Sequence, residues 1–145
     1  MGFQFAETMA GTIEWANNPG ERRPFHFDIT AHAESTREHL ATGRAKIRGV
    51  IHAPPLAESA DAEGVITIRP LGQRVIRYEL WFYGEDGHRY EVRGQKDIRW
   101  TSPFATFSRL PLEVTDESNQ RVATCLTRFD MRRDWWSFLR SFRPA

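Results

Sequence analysis

Apolar and polar residues alternate along most of this chain. The clearest case is the stretch from Arg74 to Trp100. In its first half Ile76, Tyr78, Leu80 and Phe82 share one parity. In its second half Tyr90, Val92, Gly94, Ile98 and Trp100 share one, and Arg89, Glu91, Arg93, Gln95, Asp97 and Arg99 take the other. A period of two with one apolar face predicts half-buried β-strands. Gly84-Glu85-Asp86-Gly87 between the halves predicts a hairpin turn, because glycine reaches positive φ without steric cost.

The same alternation marks other strands. Phe3–Trp15 places Phe3, Phe5, Met9, Ile13 and Trp15 on one face with Glu7 and Gly11, and Asn17-Asn18-Pro19-Gly20 is a turn signal. Phe25–Ala33 alternates Phe25, Phe27, Ile29, Ala31 and Ala33 against His26, Asp28, Thr30 and His32. Ser35-Thr36-Arg37-Glu38 has the form of a capping box, so a helix of one or two turns is expected before Gly43. Arg44–His52 turns Ala45, Ile47, Gly49 and Ile51 inward, small residues that suggest tight curvature or a narrow interior. Ala53–Gly64, with two prolines, is expected to be the longest loop, followed by a strand at Val65–Arg69.

Two further strands are expected at Phe104–Val114, with Pro111 at a bulge or edge, and at Arg121–Met131, around a turn at Asp116–Asn119. Trp135, Phe138, Leu139 and Phe142 recur at helical spacing behind Asp134, a fitting N-cap, and predict a C-terminal amphipathic helix. The expected fold is mainly β: one domain over residues 1–145, an antiparallel up-and-down, lipocalin-like barrel of about eight strands. It carries a short helix after the second strand and another at the C-terminus. Closure would remove the exposed sheet edges; a curved two-layer sheet is the alternative.

Composition narrows the function classes. The chain has 145 residues, enough for one core without staples. Its single cysteine, Cys125, permits neither an internal disulfide nor a Cys-based zinc site and fits a reducing, cytoplasmic setting. Twenty basic against 19 acidic residues leave a net charge of +1, without the basic excess of a general nucleic-acid binder. The N-terminus has no signal-peptide pattern, and no run approaches the ~18 apolar residues of a membrane span.

No Gly-x-Ser-x-Gly elbow, phosphate-binding glycine loop or His-Glu-x-x-His motif is present, so no catalytic residue is assigned. Two charges break the alternation. Glu7 falls with Phe5, Met9 and Ile13, and Lys96 with Val92, Gly94, Ile98 and Trp100. A charge facing a small barrel's interior is costly unless paired or at a wet mouth. The favoured expectation is a bulge that reverses the parity, or a lysine reaching out past the barrel end. The sharper one makes Glu7 and Lys96 polar handles for a ligand, or an acid/base pair with Tyr78 or Tyr90 as a donor, and takes Glu7, Tyr78, Tyr90, Lys96 and Trp100 as the candidate ligand-binding residues. His26 and His32 lie six residues apart, roughly 20 Å along a strand, too far to share a metal; no metal or other cofactor is expected. Cys125 reads as a packing residue. Trp81 and Tyr83 face outward, either under the C-terminal helix or as a dimer or partner surface.

Taken together, GTIEW, GRAKIRGVIHAPPL, YEVRGQKDIRW and RFDMRRDWWSFLRSFRP resemble an accessory β domain associated with bacterial flavoproteins of the glucose-methanol-choline or cholesterol-oxidase type and with neighbouring α/β-hydrolase proteins. The resemblance implies a lipocalin-like barrel linked to lipid or sterol-type metabolism. It brings no catalytic residue, since the dinucleotide fingerprint and active-site histidine of those flavoproteins are absent from this sequence. The leading expectation is a non-catalytic barrel that binds an apolar small molecule, or an accessory module of a lipid-active enzyme. A small barrel isomerase or cyclase using Glu7 and Lys96 is the second, and a structural or interaction domain the third.

Overall fold

The computed structural model describes residues 3–33, 43–69, 75–97, 109–128 and 143–144. Within them lie nine strands: β1 (Phe3–Trp15), β2 (Arg22–Ala33), β3 (Arg44–Ala53), β4 (Ala57–Arg69), β5 (Val75–Tyr83), β6 (Arg89–Asp97), β7 (Arg109–Thr115), β8 (Arg121–Arg128) and β9 (Arg143–Pro144). Consecutive strands from β1 to β8 pair antiparallel, and β8 returns to β1, closing an eight-stranded barrel. The two-residue β9 pairs with Phe3 and Gln4 of β1. The expected helices fall outside the described residues, as do the first residues of the expected strand at 104–114 and the last of that at 121–131.

The register shows how the sheet closes. Starting at Phe5 and stepping across successive pairs, the path runs through Ala31, Ile47, Gly64, Leu80, Val92, Val114 and Ala123 and reaches β1 again at Trp15. The sheet is therefore staggered by ten residues, from position 5 to position 15 of the same strand. Closure of a tilted barrel requires such a shear. The stagger must also be even, because an odd one would join an inward residue to an outward one at the seam.

The parity expected from sequence is the parity observed. Met9, Ile13, Phe25, Phe27, Ile29, Ile47, Ile51, Tyr78, Leu80, Phe82 and Val92 are buried in one continuous core. Arg44, Lys46, Arg48, Glu63, Glu79 and Arg93 are exposed on the outer wall. Apolar inside and charged outside is the reverse of the pattern of a lipid-spanning barrel. Among the described residues no helix is long and apolar enough to cross a membrane.

One expectation is corrected. The stretch 53–64 is not a long loop: only Pro54–Leu56 form the turn, and β4 begins at Ala57. Its inward positions include Ala57, Ala62 and Gly64, which carry too little apolar surface to register as a strand face in the sequence. A Cβ on Gly64 would lie 1.8 Å from the carbonyl oxygen of Glu79, and one on Gly49 as close to that of Asp28. Pro111 is accommodated within β7 because the pairing to β6 covers only Leu112–Thr115, so its missing N–H breaks no ladder on that side.

The connections divide the barrel's two ends. The β1–β2, β3–β4, β5–β6 and β7–β8 turns are short and gather at one end. They are tied to each other and to the neighbouring strands: Glu85 N–H donates to the Leu56 carbonyl (2.8 Å), Ala16 N–H to the Val122 carbonyl (2.8 Å), and Arg89 N–H to the Glu117 carboxylate (2.7 Å).

Candidate functional site

β5 stands diametrically opposite β1, with three strands between them in either direction. From these facing walls Tyr78 and Glu7 meet inside the barrel, where the Tyr78 hydroxyl donates to Glu7 Oε1 at 2.8 Å. Lys96, on β6 beside Tyr78, places its Nζ 3.4 Å from the same oxygen. The ammonium also lies 5.3 Å from the centre of the Tyr78 ring, within cation–π range. All three are buried, Glu7 at 9%, Tyr78 at 1% and Lys96 at 5% exposure.

The bulge expected at Lys96 is absent. β5 and β6 pair without a shift from Val75↔Asp97 to Tyr83↔Arg89, and Ile76 faces Lys96 in regular register. Lys96 therefore points inward by the same alternation as Val92. It does not reach past the barrel end, because it has a carboxylate partner within the core. Burial, reinforced by the adjacent Glu7 carboxylate, holds the Tyr78 hydroxyl well above its ordinary pKa. Tyr78 is thus a neutral donor at any physiological pH.

Of the five candidate ligand-binding residues, the structure brings together Glu7, Tyr78 and Lys96 and sets Tyr90 apart. Tyr90 is six residues from Lys96 along β6, roughly 20 Å by strand rise, and lies at the turn end. There it stacks on Phe82 with ring centres 5.7 Å apart and donates to Asp86 Oδ2 at 2.5 Å. Partial burial and the bond to Asp86 push the Tyr90 hydroxyl up to about 12, and the same bond lowers the Asp86 carboxyl. Trp100 falls outside the described residues.

Two clefts have their linings among the described residues. One, of about 1000 Å³, opens at the turn end between Trp15, Leu56, Tyr90 and Val122. The other, of about 670 Å³, runs over the outer wall past Lys46, Arg48, Glu63, Glu79, Trp81 and Arg93. Neither includes Glu7 or Lys96. The turn-end cleft went unnoticed in the sequence because its walls come from four separate turns, and no local pattern announces that these converge.

His26 stacks on His52 across the β2–β3 pair, ring centres 4.9 Å apart. No metal-ligating cluster of three or more groups occurs among the described residues. Cys125 is buried, and burial pushes its thiol up to about 12, a packing residue and not a nucleophile. Trp81 is half-buried, meets Tyr83 edge-to-face and carries Arg89 over its ring at 4.8 Å; Tyr83 is exposed.

Comparison with family models, curated proteins and solved structures gives no match.

Proposed function

We propose that the barrel binds an apolar small molecule, lipid- or sterol-like, whose single polar group is taken by Glu7, Tyr78 and Lys96, alone or as an accessory module of a lipid-active enzyme. The observation that carries the reading is a buried ion pair with a hydroxyl in an otherwise apolar barrel. Such a pair is poor value for stability, since desolvation cancels most of its attraction. Its presence points to recognition. The Lys96 ammonium carries three N–H donors, and Glu7 Oε1 takes one of them. The complementary ligand group is an acceptor, a carbonyl or carboxylate. Toward the turns the interior is filled by Phe25, Phe27, Phe82 and Met9, whereas Ala31, Ala45, Ile66 and Ile76 face inward on the other side of the cluster.

Native mass spectrometry of the protein purified from its own host tests the reading. The expected result is an additional non-covalent mass of a few hundred daltons that is lost from the Lys96→Met protein. A bare mass for the wild-type chain overturns it. The convergence of Glu7, Lys96 and Tyr78 within hydrogen-bond reach also favours a second reading, an isomerase or cyclase in which Glu7 moves a proton of a bound apolar substrate. In that case Glu7→Gln keeps the bound mass and stops its conversion.

A further inference from the structure

We propose that the turn end of the barrel is a second binding site, independent of the interior one, and that it takes a neutral saccharide. The cleft of about 1000 Å³ has an aromatic floor made of Trp15 and Tyr90. Each ring is backed by the core and fixed at its polar tip. The Trp15 indole N–H donates to the Pro54 carbonyl at 2.9 Å, and the Tyr90 hydroxyl donates to Asp86 at 2.5 Å over the Phe82 ring. Both residues line the cleft and are held by these contacts, so the aromatic surface is set before any ligand arrives, which lowers the ordering cost of binding. The turns around it are held by the backbone bonds between Glu85 and Leu56 and between Ala16 and Val122.

The rim decides the ligand class. It holds two cations, Arg23 and Arg121, and two carboxylates, Glu85 and Asp86. Arg23 is paired with Glu21 at 3.1 Å and Arg121 with Glu113 at 3.6 Å, while Asp86 is occupied by Tyr90. A phosphate would find both rim arginines already engaged. The side chains of Asn17 and Gln120 make no hydrogen bond among the described residues, and each offers a donor and an acceptor. A pyranose fits this set: its C–H face lies on aromatic rings, and its hydroxyl girdle both donates and accepts.

The test is a ¹H–¹⁵N NMR titration of the full chain with maltose, cellobiose, lactose and N,N′-diacetylchitobiose in turn, and with inorganic phosphate as the anionic probe. The expected result is that at least one disaccharide, at millimolar concentration, shifts the Trp15 indole signal and the amides of Leu56, Asp86 and Tyr90, and leaves those of Glu7, Tyr78 and Lys96 in place. Trp15→Ala should weaken binding roughly tenfold or more. Because that change can disturb the core, the Asn17→Ala/Gln120→Ala protein, altered only at exposed turn residues, should also bind several-fold more weakly. Silence with all four sugars, an equal response to phosphate, or an undiminished response in the Asn17→Ala/Gln120→Ala protein overturns the proposal. Failure of the interior site leaves these signals unchanged, so the two proposals are separable.

Discussion

The Tyr78 hydroxyl and the Glu7 carboxylate, 71 positions apart in sequence and on opposite walls of the barrel, share a hydrogen bond of 2.8 Å. With Lys96 on the same oxygen, they form a polar crosspiece through an apolar core. Removing one charge of a buried pair strands the other without solvent, at a cost of about 3–5 kcal/mol, whereas replacing both by apolar groups of similar size is often neutral or stabilising. Glu7→Leu and Lys96→Met should each destabilise the protein by roughly that amount in urea unfolding, and the double variant should recover most of the loss. Additive single effects would mean that the two side chains do not interact in solution.

The two constrained tyrosines make an alkaline prediction. The Tyr90 hydroxyl is pushed up to about 12 and that of Tyr78 is raised well above its ordinary 10.0. A folded-state pKa above the unfolded value stabilises the fold fully below the unfolded value, and this contribution is lost as pH rises through the folded one. Stability should therefore fall from about pH 10 upward through pH 12. Phenolate absorbance at 295 nm should stay lower in the native protein than in the unfolded chain over that interval. Tyr90→Phe should narrow the difference. Coincident native and unfolded titrations would remove the constraint on both hydroxyls.

Asp86 makes the converse prediction in acid. Its carboxyl is lowered in the folded protein, chiefly by the Tyr90 hydrogen bond. That stabilisation is complete above the unfolded value and is lost as pH falls through the folded one. Asp86 is exposed, so the effect is small. Asp86→Asn should cost a little stability at neutral pH, where the carboxylate's contribution is complete, and nothing below the folded value, so the acid limb flattens slightly; a loss as large in acid as at neutral pH would contradict this.

The sequence was most readable where apolar and polar residues contrast. β1, β2, β3, β5 and β6 follow the expected parity because Phe, Ile, Leu and Val alternate there with Arg, Glu, Asp and His. The start of β4 was hidden because Ala57–Gly64 holds alanine, glycine and acidic residues with little contrast, and its prolines lie just before the strand, not inside it. Of the interior cluster, Glu7 and Lys96 stood out as breaks in alternation, and the expectation of a bulge failed because pairing is a property of two strands. Nothing local to Lys96 reveals that a carboxylate waits for it 89 positions away. The separation of Tyr90 from the cluster was likewise invisible, since parity gives the face of a strand but not the height along the barrel.

The close backbone approach at Gly64 gives the last prediction. An added methyl group would meet the Glu79 carbonyl oxygen at 1.8 Å and its carbon at 2.8 Å, atoms that belong to the adjacent strand and cannot rotate away. β4 and β5 would have to separate at the Gly64↔Leu80 pair, the third of eight in a ladder that runs from Ala62 to Arg69. Overpacking of this kind costs about 1–3 kcal/mol, and more where backbone must move. Gly64→Ala should therefore lower the urea midpoint clearly without changing the slope, while Gly87→Ala, in the β5–β6 turn with open space around it, loses stability only through its positive φ of 80°. Leu80 amide exchange separates the two cases. It should accelerate in Gly64→Ala, where the ladder is forced apart, and hold in Gly87→Ala. A Gly64→Ala protein as stable as the parent would show that β4 and β5 lie farther apart in solution than the register described here.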